Sequence, residues 1–250
     1  MMRWFQQRPP APAPEAAPAR PPKTLVIGDI HGCYDELQAL LDRVGLSSTD
    51  QIIHIGDLVD RGPAPQQVIE FFRKTPNALS LRGNRDDKHI QAYEGKIAYE
   101  RSRAITRYHQ FADDDCYAEM IGYLRTLPLY LELPEIILAH AYVMPSVPLA
   151  EQDPAVLMGH SDGEAALKRN GYGNGSTWYT HYDGEKPLAV GHRQYPFLHY
   201  QRKVYALDTR CVYGGTLTGL LLPDFVLYSV PARANYWELL VGRYPELEKE

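Results

Sequence analysis

Cysteine is scarce: Cys33, Cys116 and Cys211 are the only three in 250 residues. They are too few and too scattered for a disulfide framework or a zinc knuckle. They suit a reducing compartment, so the chain is expected in the cytoplasm. Long apolar runs are missing as well. The best candidate, Leu217 to Val230, is broken by Pro223 and Asp224 and falls short of the roughly 20 residues that span a bilayer, so no membrane is expected as a partner. A basic excess is also lacking. The net charge of −5 offers no clear nucleic-acid surface. No internal repeat appears, and the glycine-rich stretch GYGNGS at 171–176 lacks the Gly-Lys-Ser/Thr ending of a phosphate-binding loop.

What is present is ordinary globular composition, 44% apolar and 23% charged. A chain of this length can bury about 70–75% of its unfolded surface without a staple. Residues 6–22 are almost all Pro, Ala, Gln and Arg and cannot build a core. Residues 1–22 are therefore expected to be a disordered Pro/Ala-rich tail, and 23–250 one domain. The tail carries Arg3, Arg8 and Arg20 against Glu15, so the body is the more acidic part. That is unexpected for a phosphate-binding enzyme unless its carboxylates hold cations.

From Lys23 a pattern sets in. Thr24–Ile30 reads as a buried strand and Leu37, Leu40, Leu41 and Val44 as the apolar face of a helix ended by Gly45. Gln51–Ile55 is a second strand, Val68, Ile69 and Phe72 mark a second helix, and Ala78–Leu81 is a third strand. This alternation implies a parallel α/β sheet. Residues 86–126 read as mostly helical, and Leu129–Leu133 with Ile136–Ala139 as a hairpin. Residues 144–186 read as a long excursion with one short helix near Glu164–Lys168. The end returns to strands at Leu188–Val190, Val204–Leu207, Thr216–Leu222 and Phe225–Val230.

The informative polar residues sit where these strands end: Asp29 and His31, Asp57 and Asp60-Arg61, Asn84-Arg85, His140, and His192. In an open α/β sheet the carboxyl ends of the strands meet at one crevice. Carboxylate, imidazole and amide oxygen together suit first-row divalent metals such as Mn, Fe, Co, Ni or Zn. The glycines beside them let backbone or substrate come close. His54, His109, His160 and His199 carry no such context.

The segments GDIHGCYDEL, GDLVDRGP, RGN, the His of LAHA and the GH of VGHRQ resemble the calcineurin-like metallophosphoesterases, in particular their phosphoprotein-phosphatase branch. Within it the chain is similar to the bacterial group of Ser/Thr/Tyr phosphatases and diadenosine tetraphosphate hydrolases, over about Lys23 to Ala232. The resemblance implies a two-sheet αββα sandwich with mixed strands, parallel βαβ units first and mostly antiparallel strands late. It implies a site for two divalent metal ions, Mn being the expected pair. Asp29 and His31 would hold the first, Asp57 would bridge, and Asn84, His140 and His192 would hold the second. It also implies attack by a metal-bridging hydroxide, with Arg61 clamping phosphate oxygens.

Three positions depart from the family pattern. The ligand Asn is usually followed by a His that pairs with the Asp at position 60 and protonates the leaving oxygen; here it is Arg85, which has no proton to give near pH 7. Arg193-Gln194 stands in place of Thr-Pro, and Arg210 in place of Gly. Asp60, Arg61 and Arg85 are thus the expected catalytic residues, and Arg61, Arg85 and Arg193 the expected substrate contacts. Arg210 is a further cation near the mouth, together favouring a polyphosphorylated substrate. His89 and His181 are substitute acids in name, and Tyr172, Trp178 and Tyr179 candidates for stacking on a base. The expected activity is that of a Ser/Thr-type phosphoprotein phosphatase acting on phosphomonoesters. The alternatives are a dinucleoside polyphosphate hydrolase of diadenosine tetraphosphate type and a non-catalytic phosphate-binding protein. The partner is accordingly a phosphorylated protein or a nucleotide.

Overall fold

The computed structural model describes residues 21–195 and 200–245. The expected tail therefore falls, but for residues 21 and 22, outside the described residues, as does His199. Strand β1 (Thr24–Ile27) is short and β-branched, with Leu25, Val26 and Ile27 fully buried. Helix α1 (Tyr34–Val44) buries Leu37 and Leu40 and stops at Gly45, whose φ of 65° closes the last turn on the Leu41 carbonyl. Strand β2 (Gln51–His54), helix α2 (Pro65–Lys74) and strand β3 (Ala78–Ser80) repeat the unit. Pro65 stands in the first turn of α2, where its missing N–H costs nothing. β1, β2 and β3 pair in parallel.

Residues 84–126 form three helices, α3 (Asn84–Tyr93), α4 (Arg101–His109) and α5 (Asp114–Thr126). Strands β4 (Tyr130–Glu132) and β5 (Ile137–Ala139) make the expected hairpin. The excursion holds more helix than the single segment expected. It has α6 (Pro154–Met158), α7 (Ser161–Arg169) and two short 3-10 turns. Helix propensity is weak there, but Val156, Leu157 and Leu167 are buried against the second sheet, and packing overrides composition.

The late strands are β6 (Leu188–Val190), β7 (Tyr200–Gln201), β8 (Val204–Ala206), β9 (Thr216–Leu222) and β10 (Val226–Pro231). They do not all run antiparallel. β9 and β10 form an antiparallel hairpin on the edge of the first sheet, beside β1. β5, β6 and β8 pair in parallel in the second. The long excursion allows this, because a parallel pair needs a crossover of a dozen or more residues and the excursion supplies one between β5 and β6. The sheets run β10-β9-β1-β2-β3 and β4-β5-β6-β8-β7.

Period-two alternation sorts the strand residues into layers. Leu25 and Ile27 join Leu37, Leu40, Val68 and Phe72 under the helices. Val26 points the other way, into a layer with Ile53, Ile55, Leu138, Ala189 and Leu220 drawn from both sheets. Leu188 and Val190 face a third cluster around Trp178, Tyr142 and Leu167. The order is helices, sheet, sheet, helices. At about 1.5–3 kcal/mol for each fully buried large aliphatic side chain, the middle layer fixes the two sheets face to face. A last helix, α8 (Tyr236–Arg243), follows β10. No helix among the described residues is long and apolar enough to cross a membrane.

Candidate active site

The two sheets bring five strand ends to one edge. The loop after β1 carries Asp29 and His31, and the loop after β2 carries Asp57, Asp60 and Arg61. These loops are bonded to each other: His31 N donates to Asp57 O at 2.9 Å and Gly32 N to Leu58 O at 2.8 Å. His31, Asp57, Asp60, Arg61 and His192 all have positive φ, between 47° and 77°. Five non-glycine residues in this sparsely populated region, all at one crevice, are backbone strain of the kind that clusters at functional sites.

The six expected metal ligands meet. One oxygen or nitrogen from each of Asp29, His31 and Asp57 lies within 4.8 Å of the others. His31 Nε2 is 3.5 Å from Asp57 Oδ2, and His140 Nε2 is 3.4 Å from Asp57 Oδ1. His140 Nε2 is also 3.3 Å from Asn84 Oδ1. The His140 and His192 rings stand 5.3 Å apart, edge to face, and the backbone N–H of His192 donates to both oxygens of Asp29 at 3.1 Å. Two imidazoles are oriented from behind. The carbonyls of Val59 and Ile55 lie 3.0 Å from His31 Nδ1 and His140 Nδ1, so Nδ1–H is the donor and Nε2 keeps its lone pair for the site. Gly83 and Gly191 are required by close approach: a Cβ there would run into Asp57 Oδ1 or Asp29 Oδ1.

Charge fits a cation. Burial pushes the Asp29 carboxyl well above its usual range, and the charges of Asp208 and Asp57 add to this. Burial opposes ionisation of Asp57 too, but the neighbouring imidazoles of His140, His31 and His192 outweigh it and hold its carboxyl low. Burial lowers His31, and pushes His192 down to about 3. Imidazoles and crowded buried carboxylates are the donor set that divalent metals take, and a cation would relieve the repulsion between Asp29 and Asp57.

Asp60 is fully buried. Its Oδ2 accepts from Ser102 Oγ at 3.0 Å and lies 3.6 Å from the Arg85 guanidinium, while Oδ1 has no partner among the described residues. Arg85 also donates its backbone N–H to Asp57 Oδ1 at 2.9 Å. Arg61 reaches the site, 3.5 Å from His31 Nε2. Arg193 does not: Glu164 Oε2 accepts from its Nη2 at 2.6 Å and Tyr142 OH from its Nε at 2.8 Å, which ties it to the excursion. The cavity beside the ligands, about 280 Å³, is lined by His31, Arg61, His192, Gln194, Asp208, Arg210, Val212 and Tyr213. Arg210, not Arg193, is the further arginine on its wall. A larger cavity of about 560 Å³ lies between Pro63, Phe111 and α8, but it holds no carboxylate and no cluster of ligating groups.

Several expected bystanders are settled by position. His89 is fully buried, with Nδ1 2.9 Å from Tyr117 OH, and His181 packs on Tyr172 in the excursion. Neither lines the cavity. Trp178 is fully buried and donates to Tyr195 OH, and Tyr179 is buried beside it, so neither offers a face to a base. Two residues escape sequence reasoning. Ser102 holds Asp60, and Asp86 accepts from the backbone N–H groups of Asp57, Gly83 and Val59, locking the second and third loops together. Burial and the Asp57 charge raise the Asp86 carboxyl well above its ordinary range, and the bonds from Gly83, Val59 and Asp57 oppose them.

The chain and its fold have counterparts among known proteins. The family model for calcineurin-like phosphoesterase matches residues 22–192. A symmetrical bis(5'-nucleosyl)-tetraphosphatase of Erwinia tasmaniensis is 38% identical over 130 residues, covering 51% of this chain and 47% of that protein, about half its length. An asymmetrical bis(5'-nucleosyl)-tetraphosphatase, PrpE, of Oceanobacillus iheyensis is 28% identical over 238 residues, covering 86% of this chain and 94% of that one. A crystal structure assigned provisionally as a diadenosine tetraphosphatase superposes with a TM-score of 0.69 at 26% identity, covering 84% and 94% of the two chains. A Saccharomyces cerevisiae protein serine/threonine phosphatase shares the fold, at a TM-score of 0.56, 14% identity and coverage of 85% and 80%.

Proposed function

Because the chain belongs to the calcineurin-like phosphoesterases, we propose that it is a metal-dependent hydrolase whose substrate is a dinucleoside polyphosphate of the diadenosine tetraphosphate type. Asp29, His31, Asp57, Asn84, His140 and His192 would hold two divalent cations, with Mn our assignment from a mixed oxygen and nitrogen donor set. Such cations supply Lewis acidity at the phosphoryl oxygens and acidify the attacking water.

The protein's own groups do the rest. Asp57 is fixed between His31, His140 and the Arg85 backbone. Asp86 holds its loop, so the site is organised before substrate arrives. Arg61 offers a planar donor fork to the oxygens of the phosphoryl group under attack.

One observation carries the choice of substrate: a guanidinium, Arg85, stands 3.6 Å from Asp60. It can neutralise charge on a departing oxygen but cannot protonate it. A nucleotide phosphate leaves as a stable anion and needs neutralising. A serine alkoxide needs the proton, which the phosphoprotein reading would require from this position. The names of the relatives, tetraphosphatases of both cleavage types, support the same choice. Free Cys33, Cys116 and Cys211 fit a cytoplasmic setting.

The test is a panel with Mn: diadenosine tetraphosphate, a phosphoserine peptide and 4-nitrophenyl phosphate. General acid catalysis contributes about 10²–10⁴-fold where the leaving group needs it. The dinucleotide should therefore exceed the phosphopeptide in kcat/KM by about 100-fold or more. A phosphopeptide turned over as well as the dinucleotide would overturn the reading. No turnover with Mn, Fe, Co, Ni or Zn would leave only phosphate binding.

A further inference from the structure

Arg210 is an arginine in a glycine's conformation, with φ 61°. It sits between β8 and β9 in a turn whose backbone is fully engaged. Its N–H donates to Asp208 Oδ1 at 2.9 Å, and its carbonyl accepts from Tyr213 N at 3.0 Å and Gly215 N at 2.9 Å. This closed turn fixes the direction in which the side chain leaves the backbone. A glycine would suit the turn better, so the strain persists only because the surrounding bonds determine it. The guanidinium lies 5.2 Å from the centre of the Tyr213 ring, and that of Arg61, from the loop after β2, lies 5.6 Å from the same ring. All three residues line the 280 Å³ cavity beside the metal ligands. Neither guanidinium has a carboxylate partner among the described residues. Asp208, on the same wall, accepts the Arg210 N–H at Oδ1 and makes no salt bridge to either guanidinium among the described residues.

We propose that Arg61, Tyr213 and Arg210 form a two-cation clamp for adjacent phosphoryl groups, Arg61 holding the group under attack and Arg210 the next one along the chain. The clamp rests on the reading above and deepens it, making the site selective for substrates with at least two linked phosphates. Tyr213 is the positioning residue, because its ring face holds two guanidiniums that would otherwise repel each other. Neither guanidinium is in a salt bridge among the described residues, so both donor forks are open to a polyanion. Arg193 plays no part, being paired with Glu164.

The experiment compares inhibition of 4-nitrophenyl phosphate hydrolysis by ADP and by AMP, which differ by one phosphate, in the full chain with Mn. The clamp predicts that the wild type binds ADP more tightly. It predicts that Arg210→Gln and Arg210→Gly both weaken ADP by about tenfold relative to AMP, the worth of a charge-assisted hydrogen bond at a partly exposed site. Gly relieves the backbone while Gln does not, so agreement between them assigns the effect to the side chain rather than to folding. Tyr213→Leu should reproduce the loss and Tyr213→Phe should not. A wild type without preference for ADP, or variants that weaken ADP and AMP equally, would overturn the clamp. Turnover of diadenosine tetraphosphate is scored separately. A chain that ignores that substrate yet prefers ADP through Arg210 loses the tetraphosphatase reading and keeps the clamp.

Discussion

A guanidinium at position 85 changes what Asp60 can do. With an imidazole there, a buried carboxylate would orient a proton donor. With arginine, Asp60 anchors a fixed positive charge that is mostly enclosed, the Arg85 side chain being 20% exposed. Replacing it therefore tests leaving-group chemistry directly. Arg85→His should raise kcat/KM on phosphoserine peptide relative to 4-nitrophenyl phosphate by about 10²-fold, because only the alkyl leaving group needs a proton. An unchanged ratio, measured side by side in wild type and variant, would show that protonation does not limit the rate. The ligand candidates were legible at this scale because each is a polar residue just after a strand, all but His140 beside a glycine. Asp86 and Ser102 were not, because their work is done across 29 and 42 residues of sequence, on Asp57 and Asp60, by contacts that no local pattern encodes. The pairing of Arg193 was hidden for the same reason. Its partner Glu164 lies 29 residues away on α7, and only the packing of the excursion brings the two together.

Among the helices, α3 links the site to the core. It begins with the candidate ligand Asn84, carries Arg85 and Asp86 in its first turn, and buries His89 one turn later. Burial pushes the His89 imidazole from its ordinary 6.5 to about 4. The folded chain thus holds it neutral where the unfolded chain would protonate it. Between these two values the unfolded state binds more protons, so stability is full above about pH 6.5 and is lost as pH falls towards 4. At about 1.4 kcal/mol per unit the loss from this one group is about 3 kcal/mol. His89→Gln should flatten the acid limb of a plot of unfolding free energy against pH by that amount. Coincident limbs for the two chains would assign the acid sensitivity elsewhere. Elements with a clean period, such as α1 and β1, were readable in the sequence. α6 and α8 were not, and α7 showed only over Glu164–Lys168, since short helices draw their stability from the surface they cover. β7 was missed because two residues paired at an edge carry no period.

At the scale of the molecule, the candidate ligand set spans the sandwich. Asp29, His31, Asp57 and Asn84 follow strands of the first sheet, while His140 and His192 follow β5 and β6 of the second. The sheets otherwise meet through the apolar layer of Val26, Ile53, Leu138, Ala189 and Leu220. At the site end that layer gives way to carboxylates and imidazoles with unlike demands, and burial opposes ionisation of Asp29 and Asp57 alike. Cations bound there would tie the two sheets together and offset that cost, which also accounts for an acidic body in a phosphate-handling protein. Metal binding is then folding free energy, contributing about 2.7 kcal/mol per site at a free concentration 100 times Kd. For a chain of this size each kcal/mol shifts Tm by roughly 2–4 °C. Chelation should therefore lower Tm by about 5–10 °C or more, and added Mn should restore it. His192→Ala, which removes a ligand from the second sheet alone, should recover less of that shift than the wild type when Mn is returned. A Tm indifferent to chelator and to saturating Mn would mean that the six residues meet without binding a cation that couples the sheets.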